Sequence, residues 1–179
     1  MTWDAYHHRG EVLRAVEREA NQRLDGALPM ELPGVAETFT DESDLVAALQ
    51  LRWHTRLSGR IEQALMEEPA ELEHAVVQAW RNTADELAGV REILDAQRAY
   101  PSTPEIGEAL VKAHHKELQL LAAMAGRASI TDVAAVSVGR AIEDEARATY
   151  DPAASPRHRR EEDAPRATLL ERVRSHLVA

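Results

Sequence analysis

A chain of 179 residues with 44% apolar and 29% charged residues has the make-up of one folded domain, long enough to bury its own core. The absence of cysteine excludes disulfide frameworks, thiolate metal sites and cysteine nucleophiles together. A net charge of −10 argues against a nucleic-acid partner, and the one basic run, Arg157 to Arg160, is followed at once by Glu161, Glu162 and Asp163.

In chain order the pattern predicts helices throughout. The first spans about Trp3 to Leu24, with Tyr6, Leu13, Val16, Ala20 and Leu24 at helical spacing, and Asp25-Gly26 ends it. Residues 28–40 carry Pro29, Pro33 and Gly34 and read as a loop. Asp41, Glu42 and Asp44 place negative charge in the first turn of a second helix, whose stripe is Val46, Leu49, Trp53, Leu57, Ile61 and Ala64. Pro69 opens a third, continuous from there through Leu72, Val76, Ala79, Thr83, Leu87, Val90 and Leu94.

Ser102-Thr103-Pro104-Glu105 fits a capping box for a fourth helix with Ser102 as the cap. Its face is Ile106, Leu110, Ala113, Leu121 and Met124. Thr131 or Ser129 can cap a fifth, which buries Ala134, Val138, Ala141 and Ile142. Residues 151–166 are rich in Pro, Ala, Ser and charge and read as a tether to a short amphipathic segment, 167–179, with Leu169, Leu170, Val173 and Leu177 on one edge. The expected architecture is all-α: an antiparallel bundle of four to five long helices over residues 1–150, with a short tethered C-terminal helix.

No stretch approaches the ~20 apolar residues that span a bilayer, and residues 1–10 show no apolar leader. The expectations are therefore no membrane partner and a cytoplasmic location. Basic residues are almost all Arg, with Lys112 and Lys116 as the only lysines, a bias expected of a GC-rich bacterial genome.

Chemistry is suggested only where charge interrupts an apolar stripe. Glu17, Glu86, Glu117 and Glu145 fall on four stripes and Arg60 on a fifth, with His114 beside Glu117. A buried unpaired carboxylate costs several kcal/mol, so each needs a cation, a hydrogen bond or a metal. One expectation is that these glutamates pair with Arg9, Arg60 or Lys116 and set helix register. The other is a site for iron, manganese or zinc built from Glu17, Glu86, Glu117, Glu145 and His114. Inward Glu and His side chains are the ligand grammar of ferritin-like di-metal bundles. The paired Glu-x-x-His elements of those bundles are not matched: Glu71-x-x-His74 has the order, but His74 points off its stripe, and His114-x-x-Glu117 reverses it.

No phosphate loop, nucleophile elbow or HExxH motif is present. Trp53 and Trp80 read as core, with a groove rim as the alternative. Leu51, Leu65 and Ile93 fall off the main stripes and suggest a second contact surface. The sequence thus favours a non-catalytic interaction or regulatory module, without cofactor, that meets a protein partner or its own copy through Trp53, Trp80, Leu169, Leu170, Val173 and Leu177. The metal-binding bundle, with redox activity, is the alternative.

Overall fold

The computed structural model describes the backbone of residues 3–67, 70–148 and 150, and side chains from residue 7 onward within those spans. Pro69, the segments 151–166 and 167–179, and the side chains of Trp3 and Tyr6 lie outside the described residues. Those that are described form seven packed helices and no strand.

Helix α1 (Trp3–Arg23) buries Val12, Val16 and Ala20, while Leu13 is only half-buried. It ends where Leu24 turns left-handed, at φ 48°, and donates its N–H back to Ala20 O at 3.0 Å. The predicted loop holds one short turn, α2 (Val35–Thr38), and plugs Val35 and Phe39 into the core. Helix α3 (Glu42–Glu67) starts where the Asp41 carboxylate accepts from Asp44 N at 2.9 Å. Its buried stripe is Leu45, Val46, Leu49, Trp53, Leu57 and Ile61.

The expected third helix is two. Helix α4 (Leu72–Glu86) and helix α5 (Ala88–Ala99) are separated at Leu87, which leaves helical geometry at φ −121° and ψ 40°. Asn21 of α1 bridges the break: its amide nitrogen donates to Glu86 O at 2.9 Å and its carbonyl accepts from Gly89 N at 2.8 Å. A side chain from another helix thereby satisfies both orphan ends, a signal that lies far away in sequence. Gly89 is needed there, because a Cβ would sit 2.0 Å from the Ala20 carbonyl.

Helix α6 (Pro104–Met124) is capped one residue later than expected. Thr103 accepts from Ile106 N at 3.3 Å, whereas Ser102 is bonded to the Gln97 side chain, its hydroxyl donating at 2.7 Å. Helix α7 (Ala135–Ala148) follows a turn in which the Asp132 carboxylate accepts from Ala134 N at 2.8 Å, in place of the expected Thr131 or Ser129.

The buried face of α7 is also rotated from the expected one. Ala134 and Ala141 are exposed, and the helix buries Ala135, Gly139, Ile142, Glu143 and Ala146. The reason is contact distance. Gly139 packs on the backbone of α6, where a Cβ would lie 1.9 Å from Leu118 O. Small residues let two antiparallel helices touch backbone to backbone, and this close seam, not the largest apolar side chains, sets which face turns inward. Gly139→Ala is therefore expected to cost about 1–3 kcal/mol by prising α6 from α7, read as a fall in the urea midpoint with unchanged slope. By contrast Gly59→Ala, where a Cβ meets nothing within 4 Å, should hold or raise it.

Candidate functional site

The polar heart of the bundle is Arg91, a residue passed over when α4 and α5 are read as one continuous helix. It lies within the first turns of α5, where Leu87, Ala88, Gly89, Val90, Ile93 and Leu94 are all buried, and is itself 4% exposed. Its guanidinium donates through Nη1 to Glu117 of α6 at 2.9 Å and through Nη2 to Glu143 of α7 at 2.8 Å. The same Nη2 lies 3.1 Å from Asp95 one turn along α5. Trp53 and Trp80 wall it in, with ring centroids 4.7 and 5.5 Å from its central carbon.

A second layer completes these charges. Trp53 donates its indole N–H to the other Glu117 oxygen at 3.0 Å. Arg147 reaches Glu143 at 2.9 Å and Asp95 at 2.8 Å and lies over the Trp80 ring, and Arg98 meets Asp95 at 3.0 Å. Tyr150 stacks edge-on to Trp80 and donates its hydroxyl to Ala84 O at 2.6 Å. Three guanidiniums, Arg91, Arg98 and Arg147, thus face three carboxylates, Asp95, Glu117 and Glu143. The charge of these six groups sums to zero with His114 neutral.

His114 is neutral for a physical reason. Burial is the main cause that pushes its imidazolium down to about 4. Arg98, Arg91 and Arg140 add to the effect, and Glu143, 3.3 Å from Nε2, opposes it only in part. Its Nδ1 is buried without a partner. For Glu143, burial alone would raise the carboxyl, but Arg91, Arg147 and His114 outweigh it and hold it below the ordinary range. Asp95 is held down in the same way by Arg91, Arg147 and Arg98 against its own burial.

The expected site residues do not converge on one point. Glu117 and His114 belong to the Arg91 network, and their ligand atoms lie within 4.8 Å of those of Glu143. Glu17 and Glu86 form a separate pair near the surface: Arg52 Nε lies 2.8 Å from Glu17, and Glu86 takes Arg56 and, at 2.9 Å, Arg60. Arg60 is thus a partner, as expected, whereas Arg9 binds Asp44 instead, at 2.7 Å. Glu145 is exposed, because rotation of α7 puts Glu143 in its place. Trp53 and Trp80 are fully buried and rim no groove. Ile93 is likewise core, whereas Leu51 stands 66% exposed.

Leu51 borders a groove of about 690 Å³ between α3 and α6. Val46, Ile106 and Leu110 form its buried floor, Ala47 and Ala109 its exposed walls, and His54, Glu105, Lys112 and Lys116 its polar rim. A second groove of about 570 Å³ lies on the other side of Leu51, between α1 and α3. No family model, curated protein or solved structure matches this chain.

Arg91→Met is expected to destabilise the protein by about 3–5 kcal/mol, because it strands two buried carboxylates, and Arg91→Met/Glu117→Leu/Glu143→Leu should regain most of that loss; urea unfolding measures both. A group whose folded pKa is depressed loses its contribution as pH falls. The unfolded chain takes a proton on His114 near 6.5 and the folded one only near about 4, so stability should drop by about 3 kcal/mol between those values. The His114→Gln variant should lack that slope. As the pH falls on through and below the ordinary carboxylate range, protonation of Glu143 and Asp95, both held down in the fold, should remove their contributions as well.

Proposed function

We propose that this protein is a non-catalytic helical interaction module that takes an acidic amphipathic helix in the groove between α3 and α6. The observation that carries this reading is the groove itself: an apolar trough beside an exposed leucine on an otherwise acidic chain, with both lysines of the sequence on its rim. Apolar floor residues fit the i, i+4 anchors of a helix laid in a groove, and Lys112 and Lys116 favour Glu or Asp on the flanks of that helix. The chain's own segment 167–179 has the apolar edge but the wrong sign, since Arg172 and Arg174 outnumber Glu171. The Arg91 network serves this reading by fixing the helices that wall the groove, with no substrate to act upon.

A synthetic helical peptide with Leu at i, i+4 and i+7 and Glu on both flanks provides the probe. Fluorescence anisotropy should give a dissociation constant of order 10–100 µM, weakened at least tenfold by Leu51→Asp and by replacing the Glu flanks with Lys. A peptide that binds equally well with either flank, or not at all, refutes the groove as a docking site. If Leu169→Asp/Leu170→Asp raises the affinity strongly, the chain's own tail is the occupant.

A second reading rests on the close approach of the His114, Glu117 and Glu143 ligand atoms: a centre for iron, manganese or zinc. The charge balance weighs against it, because Arg91 already neutralises these carboxylates and a dication would add a surplus of buried positive charge. On this reading, metal bound one to one raises the melting temperature and Glu117→Ala abolishes the rise; mass spectrometry of protein purified without chelator decides it.

A further inference from the structure

The outward flank of α3 carries a feature that neither the core nor the groove uses. Arg52, Arg56 and Arg60 follow one another at i, i+4 and i+8, so they rise in a row on one helix face. Together with Thr55, Gly59 and Gln63 they line a polar depression of about 390 Å³. We propose that this depression is a binding site for the phosphoryl group of a small ligand, either free phosphate or a phosphate monoester.

Two independent observations carry the proposal. The first is charge. Beneath the row lie two carboxylates, Glu17 of α1 and Glu86 of α4, held by three guanidiniums, so one positive charge is left over. Arg14 adds to that surplus from α1, where its charge acts on Glu17. The carboxylates hold the guanidiniums by some of their N–H groups, and a guanidinium has five in a planar fork, so Nη hydrogens beyond those of the ion pairs are left for a tetrahedral oxyanion, although Nε of Arg60 is buried. Arg52 and Arg56 are also about two-fifths exposed, open to a solute yet held in place. Burial and the neighbouring Glu86 raise the Glu17 carboxyl against the pull of Arg52.

The second is Gly59. It sits well inside a 26-residue helix, where glycine costs about 0.5–1 kcal/mol relative to alanine. Packing gives no reason for it: a Cβ there meets nothing within 4 Å, unlike those at Gly89 and Gly139, which would strike backbone. Gly59 lines the depression beside Arg56 and Arg60, and a side chain there would occupy its open space without striking a neighbour. Groove volume is in the range of small-ligand sites.

Gly59→Leu separates binding from folding. The substitution is expected to leave the melting temperature in chloride unchanged or raised, since it removes a helix-interior glycine without a clash. It should also fill the depression. Calorimetry on the full chain with inorganic phosphate and with phenyl phosphate, at matched ionic strength in chloride, should give a dissociation constant below about 1 mM for at least one of them. Whichever binds more tightly identifies the source of the phosphoryl group. Affinity should fall at least tenfold in Gly59→Leu and in Arg56→Gln, with partial recovery in Arg56→Lys. Heats no larger than those of added chloride, or full affinity retained in Gly59→Leu, overturn the proposal.

Discussion

A guanidinium cannot be taken out of water alone, and in this protein one is 4% exposed. The desolvation of such an ion costs several kcal/mol even after relaxation, so the interior closes only if counter-charges arrive from every side. For Arg91 they come from three helices: Asp95 from α5, Glu117 from α6 and Glu143 from α7. Trp53 brings α3 to the same point through its N–H to Glu117, and Trp80 brings α4 by lying against the guanidinium. Five helices are thereby referenced to one side chain. A slip of α5, α6 or α7 by one residue would leave a buried charge without its partner, a penalty much steeper than that of a mispacked leucine.

Such a network sets distances as well as register. Arg91 can hold Glu117 and Glu143 at once only if α6 and α7 lie close together, and Gly139 makes that separation available by putting α7 against Leu118 O. Gly89 does the same for α1 and α5, where Asn21 then reaches both ends of the break at Leu87. Because α5 restarts at that break, the phase of its buried face is independent of α4. That is how Arg91 comes to point into the core with the apolar residues around it.

The same facts explain which parts of the fold are legible in the sequence. Periodic apolar stripes are a local signal, and α3 and α6 follow theirs closely, down to Trp53, Leu57, Ile106 and Leu110. Glu117 is legible for the same reason, as a charge in the middle of a clean stripe. Glu143 and Arg91 are not, because their phases depend on events remote in sequence. The face of α7 is chosen by a glycine that must meet a backbone, and the face of α5 by a break that Asn21 seals from α1. A count of large apolar residues gives Gly139 no weight and so turns α7 toward Glu145. In the same way, a capping box at Ser102 is chemically sound, yet Gln97 takes that hydroxyl and Thr103 becomes the cap.

The charges of the protein thus fall into two regimes with different consequences. Inside, three guanidiniums and three carboxylates cancel, so that network carries no surplus charge. On the outer flank of α3 the same residue types are out of balance, three to two, and the guanidiniums are partly exposed to solvent. The surplus therefore sits where a solute can reach it, on the helix that also presents Leu51 to the apolar groove. That helix is anchored at the centre of the molecule through Trp53 and Glu117. A ligand on either outer face meets a wall whose position the core has already settled, so binding there spends little on ordering the protein.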